Sequence, residues 1–260
     1  MDIHGTGTFG KVAKCFSLDH AEMVAIKFLN VDDENISQEV EMLKAISVFD
    51  SDKKNILLVS LESLKSLGII HGDLKVDNLM LVNHKDPPFK LRLIDFGLAI
   101  PARYTEIGDL AQNPQFRAPE VMLGLPLAEA VDIWSLGCIM LQLFLVDSPF
   151  PFECSYGWMG NLVDLLGQPA DHMLAAGEYS KEFFILDKSG WRLMTREEFK
   201  KKHKEEPETD KSSYISFKEE LNKKRISDEQ DKLEFQDKMA FFKWILSRGL
   251  VPVKPLNIRL

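Results

Sequence analysis

The sequence is poor in cysteine, short of positive charge and without a long apolar run. Its three cysteines, Cys15, Cys138 and Cys154, are far apart, odd in number and without metal-site spacing. That excludes a disulfide framework and a zinc ribbon, and leaves buried or free thiols in a reducing compartment. The net charge is −8 over 260 residues, which argues against a nucleic-acid surface as the main function. The opening MDIHGTGTFG has neither a basic stretch nor an apolar one, so no signal peptide is expected. The most apolar run, Val131 to Val146, includes Asp132 and Gln142 and falls short of the roughly 20 residues of a membrane span. It reads as a fully buried core helix.

What is present is an apolar fraction of 45%, enough for a core in one large domain or two small ones. The first thirty residues read as strands: GKVAKCF alternates apolar and polar residues, and MVAIKFL is a short run rich in β-branched side chains. ISQEVEMLKAI sets Ile36, Val40 and Leu43 on one helical face. Ile56, Leu57, Leu61, Leu64 and Leu67 repeat that spacing. LMLVN and FKLRLID read as short strands parted by the turn-forming HKDPP. Beyond Pro119 the pattern is helical over 118–123, 131–146 and 157–166. From about Thr195 to Asp231 Lys and Glu dominate, as in a solvated helix or charged insert. Within it KKKHK, Lys200 to Lys204, is a weak match to a nuclear-import patch.

Four stretches carry chemistry. In GTGTFGKV, the residues Gly5, Gly7, Gly10 and Val12 form a loop whose backbone can approach phosphate oxygens without Cβ clashes. A dinucleotide fold needs a helix to begin in that loop; here KVAKCF continues as a strand, which disfavours it. VAIK places Lys27 seventeen residues after Gly10, on the next strand, where it suits a phosphate contact. Glu39 or Glu41 on the following helix can hold it, with Glu39 preferred. In HGDLKVDN, Asp73 suits a base for a hydroxyl proton, Lys75 a counter-charge for a moving phosphoryl group, and Asn78 a metal ligand through its amide oxygen. Asp95 in LIDFG supplies a second metal ligand, a hard-oxygen set that favours Mg²⁺. Singly, each reads as a loop residue making a turn; together and in this order they point to phosphoryl transfer.

On GTGTFGKV, VAIK, HGDLKVDN, DFG, APE (Ala118 to Glu120) and DIWSLG (Asp132 to Gly137), the chain resembles the eukaryotic protein kinase family. Lys75 is similar to the serine/threonine type of catalytic loop. FRAPEVMLGLPLAEAVDIWSLGC, LLGQPADHMLAAG and GWRLM resemble the homeodomain-interacting protein kinases, relatives of the dual-specificity tyrosine-regulated kinases. Gly72 fits that subgroup, whose members often lack the arginine before the catalytic aspartate. The resemblance implies an α+β, two-lobed fold in a single domain over 1–260. Residues 1–55 would form a reduced N-lobe without central strands and hinge, and 56–260 a mainly helical C-lobe with the insert at about 195–231. It implies ATP and Mg²⁺ as cofactors, with Ala25 and Met80 as further nucleotide contacts, and Asp132 anchoring the catalytic loop from a buried helix. It also implies protein substrates, transcription factors and co-regulators among them, with no direct nucleic acid and no membrane. A monomer of nuclear or cytoplasmic location completes the expectation.

Several positions depart from the family pattern. Lys27 and Asp73 are 46 residues apart, far fewer than in the family. The missing part would hold two central strands, the hinge that hydrogen-bonds adenine, and the next helix. Two hydrogen bonds lost at ~0.5–1.5 kcal/mol each weaken nucleotide binding roughly 5- to 150-fold. Some 100 Å² of lost apolar cover, at ~25 cal/mol/Å², adds roughly 2.5 kcal/mol. The subgroup's activation-loop tyrosine falls at Leu110 and its neighbouring arginine at Pro114, with Tyr104 and Thr105 out of register. The arginine that pairs with the counterpart of Glu120 has no evident match, so Glu120 is expected to stand unpaired. The chain thus reads as an ATP-dependent serine/threonine kinase with dual specificity open. The alternatives are a non-catalytic kinase-like interaction module or a truncated gene product.

Overall fold

Period-two patterning in the first thirty residues gives a three-stranded antiparallel sheet of order β1-β2-β3: β1 (Asp2–Gly7), β2 (Gly10–Ser17) and β3 (Glu22–Leu29). The computed structural model describes residues 2–7, 10–17, 22–29, 57–81, 91–145, 150, 154–204 and the single positions 237, 240 and 246. Gly7 pairs with Gly10 at the first hairpin, and Val12 lies directly opposite Lys27. Across an antiparallel pair, opposed positions share one face, so the register groups Val12 with Lys27 and Lys14 with Ala25. The ladder slips between Ile3 and Gly5, as a bulge does. The helix read over ISQEVEMLKAI lies outside the described residues.

Leu57, Leu61 and Leu64 are all buried on one side of α1 (Leu57–Ser66), while Glu62 and Lys65 face solvent. Each such leucine contributes about 1.5–3 kcal/mol of burial. Leu67 falls in the turn that ends the helix and is 37% exposed. The chain then makes two small antiparallel ladders: β4 (Ile69–Ile70) pairs with β7 (Ile100–Pro101), and β5 (Leu79–Leu81) with β6 (Leu91–Leu93).

Helices follow: α2 (Pro119–Met122), α3 (Ala130–Leu145), α4 (Ser155–Leu166), α5 (Asp171–Ala176) and α6 (Ser180–Phe183). A hairpin of β8 (Phe184–Asp187) and β9 (Gly190–Leu193) leads into α7 (Arg196–His203). The architecture is the expected α+β one, with a small β-rich first part and a mainly helical remainder. The core centres on α3, where Val131, Trp134, Cys138 and Leu141 are fully buried. Trp134, Phe150 and Trp158 pack ring on ring, the Phe150 and Trp158 centroids 5.4 Å apart. One expectation is corrected: α3 is not buried all round, because Leu143 is 66% exposed. A uniformly apolar run carries no mark of its solvent side. Among the described residues no helix is long and apolar enough to cross a membrane, and none of the three cysteines is in a disulfide.

Glu120, in the first turn of α2, is 1% exposed, and neither carboxylate oxygen has a hydrogen-bond partner among the described residues. Burial pushes its carboxyl from 4.5 up to about 8. Between those values the folded chain keeps a proton that the unfolded chain releases. The contribution to stability is therefore whole below the ordinary carboxylate range and is lost as pH rises through the folded value. Glu120→Gln is neutral throughout. Its urea-unfolding free energy should fall less steeply than wild type between about pH 6 and 8, by up to roughly 1.4 kcal/mol per unit. An unchanged slope would remove Glu120 from the pH response.

Candidate active site

The buried strand β4 leads into His71 and Gly72, whose backbone N–H groups meet one carboxylate on α3. Asp132, 2% exposed in the first turn of that helix, accepts the His71 N–H on Oδ2 at 2.7 Å and the Gly72 N–H on Oδ1 at 3.1 Å. Its anchoring role is thus carried by two bonds across about sixty residues of sequence. Burial pushes the Asp132 carboxyl up to about 7, and the two N–H donors pull against that rise.

His71 is fully buried, and burial takes its imidazole from 6.5 down to about 4. The ring is therefore neutral at physiological pH. Nδ1 accepts the Asp73 N–H at 3.3 Å, so the proton sits on Nε2, which donates to the Ile94 carbonyl at 3.2 Å. Phe96 meets the ring edge-on at 4.9 Å. The charges of Asp73 and Asp95 work against the fall in the His71 pKa without reversing it.

Asp73 is 8% exposed. Its Oδ2 receives the Lys75 ammonium at 2.8 Å and the Asn78 amide at 3.0 Å. The same Asn78 nitrogen donates to the Asp73 carbonyl at 2.8 Å. The Asn78 nitrogen is thus committed to Asp73, and the amide oxygen is an acceptor of the kind that hard cations take. A single 3₁₀ turn, Val76–Asn78, sets that side chain. The Ile94 N–H donates to the Asn78 carbonyl at 3.0 Å, next to the β5–β6 ladder. Asp95 follows at once, in the left-handed region at φ 64°. Asp73, Lys75 and Asn78 are therefore brought into one bonded cluster, with Asp95 entering beside it. Among the described residues no group of three or more His, Cys, Asp or Glu side chains is arranged to hold a metal ion by itself.

Most of the other expected site residues lie on the strands of the first sheet. Gly5 and Gly7 lie on β1, Gly10 and Val12 on β2, and Ala25 and Lys27 on β3. Met80 is on β5 and 52% exposed. Glu39 falls outside the described residues.

A second set of bonds had no mark in the sequence reading. Gln112, buried and at φ 68°, donates its backbone N–H to the Gly72 carbonyl at 2.9 Å. Its side-chain nitrogen donates to the Val131 carbonyl and to Ser135 Oγ, both at 2.7 Å, and its oxygen accepts the Ala118 N–H at 2.8 Å. Arg117 donates to the Ala111 and Gln112 carbonyls at 2.9 and 3.1 Å. Tyr179 adds a bond from its hydroxyl to the Gly108 carbonyl at 3.0 Å. The segment between Asp95 and Glu120 is thus tied to the loop that carries Asp73, to α3 and to the start of α6 without a charged residue at position 110. His71 could have been found as a lone histidine ending the apolar run LGII. Gln112 carried no such signal.

Residues 53–156 match the family model described as protein kinase domain. The chain is 32% identical over 252 residues to homeodomain-interacting protein kinase 1 of Mus musculus, covering 76% of this chain and 21% of that protein. To homeodomain-interacting protein kinase 2 of Mesocricetus auratus it is 31% identical over 249 residues, 75% of this chain and 21% of that protein. To homeodomain-interacting protein kinase 4 of Mus musculus it is 31% identical over 237 residues, 71% of this chain and 38% of that protein. The chain thus spans about a fifth to two-fifths of the length of the relatives it matches.

Two substitutions probe the loop. Asp132→Ala leaves the buried His71 and Gly72 N–H groups unpaired, at about 1–3 kcal/mol each; denaturant titration should show a loss of that order. Gly72 sits at φ 74°, and a Cβ there would come within 2.9 Å of the Leu98 carbonyl oxygen. Gly72→Ala should therefore cost about 1–3 kcal/mol in the same titration, and a neutral outcome would mean that the loop relaxes freely.

Proposed function

The chain belongs to the protein kinase family, and from that premise we propose that it transfers the γ-phosphoryl group of Mg²⁺-ATP to protein hydroxyls, with serine/threonine as acceptor class. The observation that carries this reading is the bonded set Asp73, Lys75 and Asn78 on a loop fixed to Asp132. Asp73 takes the proton as the acceptor O–H breaks, a P–O bond forms to the γ-phosphorus, and the bond to the β–γ bridging oxygen breaks to leave ADP. Lys75, already 2.8 Å from Asp73, offsets charge on the moving phosphoryl group. Asn78 and Asp95 are the oxygen ligands for Mg²⁺, which when bound neutralises phosphate charge. The glycines of the first hairpin, Val12, Ala25, Lys27 and Met80 hold the nucleotide, with Glu39 as partner to Lys27.

Transcription factors and co-regulators as substrates, and a nuclear location, are the finer parts of the proposal, supported by the relatives' name as homeodomain-interacting proteins. The short interval between Lys27 and Asp73 favours a second reading, a kinase-like module that binds proteins without turnover.

Thermal melting with and without Mg²⁺-ATP separates the two. A nucleotide-dependent rise in melting temperature, lost in Lys27→Met, is expected. Phosphate transfer to a generic protein acceptor should fall about 10²–10⁴-fold in Asp73→Asn while the melting shift persists. Cooperative melting with no shift at millimolar ATP would overturn the enzyme and leave the binding module.

A further inference from the structure

Residues 180–204 carry eight Lys and Arg against four Asp and Glu, a local surplus of +4 in a chain of net −8. This basic stretch folds around an open groove of about 700 Å³ on the β8–β9 hairpin and its flanking helices. Its floor is apolar: Phe184 and Met194 are buried, Ile185 and Trp191 half-buried, and Leu186 is 62% exposed. Lysines from two helices flank it, Lys181 on α6 and Lys202 on α7. The one acid in the lining, Glu198, is already matched by both terminal nitrogens of Arg192 at 2.7 Å. Lys202 is held by Glu182 at 3.0 Å, and Lys181 makes no ion pair among the described residues.

The groove is also built in advance of any occupant. Arg192 joins Asp187 of the hairpin to Glu198 of α7, and Glu198 closes a capping box with Thr195. The hairpin and helix are thereby fixed relative to each other, and a ligand pays little to order them.

We propose that this groove docks an acidic peptide segment of a partner protein, seating its large apolar side chains over Ile185, Leu186 and Trp191 with its carboxylates toward Lys181 and Lys202. The excess positive charge selects the sign of the partner and speeds its encounter; the apolar floor supplies residence. This docking is independent of nucleotide and of the reading of Asp73.

The test uses the full chain and a fluorescein-labelled peptide library of glutamate and aspartate interleaved with leucine, phenylalanine and tryptophan, read by anisotropy. Counterpart libraries replace the acids by lysine or the apolar residues by serine. Binding of the acidic–apolar library alone is expected, weakened about tenfold or more by Lys181→Glu and by Leu186→Ser. Both altered side chains are exposed, and an unchanged melting temperature confirms the fold. Equal binding of the serine library, or no effect of Leu186→Ser, would reduce the face to unspecific charge attraction and overturn the proposal. So would an absence of binding. Binding that appears only after Glu205, Glu206, Glu208 and Asp210 are changed to serine would assign the groove to the chain's own acidic run and overturn the partner.

Discussion

Two backbone N–H groups on one buried carboxylate hold this structure's chemistry in place. Asp132 receives His71 and Gly72 together, and everything that bears on Asp73 follows from that grip. Because the His71 backbone is fixed, its ring can reach the Ile94 carbonyl and bring the segment before Asp95 alongside. Because the Gly72 carbonyl is fixed, it can accept the Gln112 N–H and gather the following segment. The anchor is a helix residue and the things anchored are loop residues, so the most rigid element lends its precision to the least regular one.

Charge management around that anchor is by exclusion. His71 is kept neutral by burial, and it therefore serves as a hydrogen-bonding spacer between Asp73 and Ile94. Asp132 is paired with dipoles and not with a cation. Asp73 forms a full ion pair with Lys75, and it is more exposed than Asp132. Glu120 stands at the other extreme, buried with no partner among the described residues, and burial favours its protonated form.

The local pieces were legible in the sequence because short-range rules govern them. Alternation placed β2 and β3, the Leu57–Leu61–Leu64 spacing placed α1, and motif order grouped Asp73, Lys75 and Asn78, which the structure bonds together. Asp132 as anchor followed from family resemblance. What escaped was set by partners distant in sequence. Gln112 takes part in five bonds, to residues as far away as Gly72 and Ser135, yet glutamine in a loop is unremarkable by composition. The β8–β9 hairpin went unread although Asp187 to Gly190 is a turn sequence, because its strands are four residues each and too short for a period. The exposed side of α3 was hidden by a run apolar all round.

The bonds that position the segment between Asp95 and Glu120 share a physical character. Amide, carbonyl, hydroxyl and guanidinium groups meet there, and among the described residues no cation meets an anion. Counterions weaken attraction between opposite charges and leave dipolar bonds in a buried setting almost untouched. The surface links of Arg192 with Asp187 and Glu198 belong to the first kind, and the Gln112 cluster to the second. Rising ionic strength therefore loosens the molecule from its basic edge inward, and the segment beside Asp73 keeps its order in brine that has already dissolved the ion pairs of the hairpin.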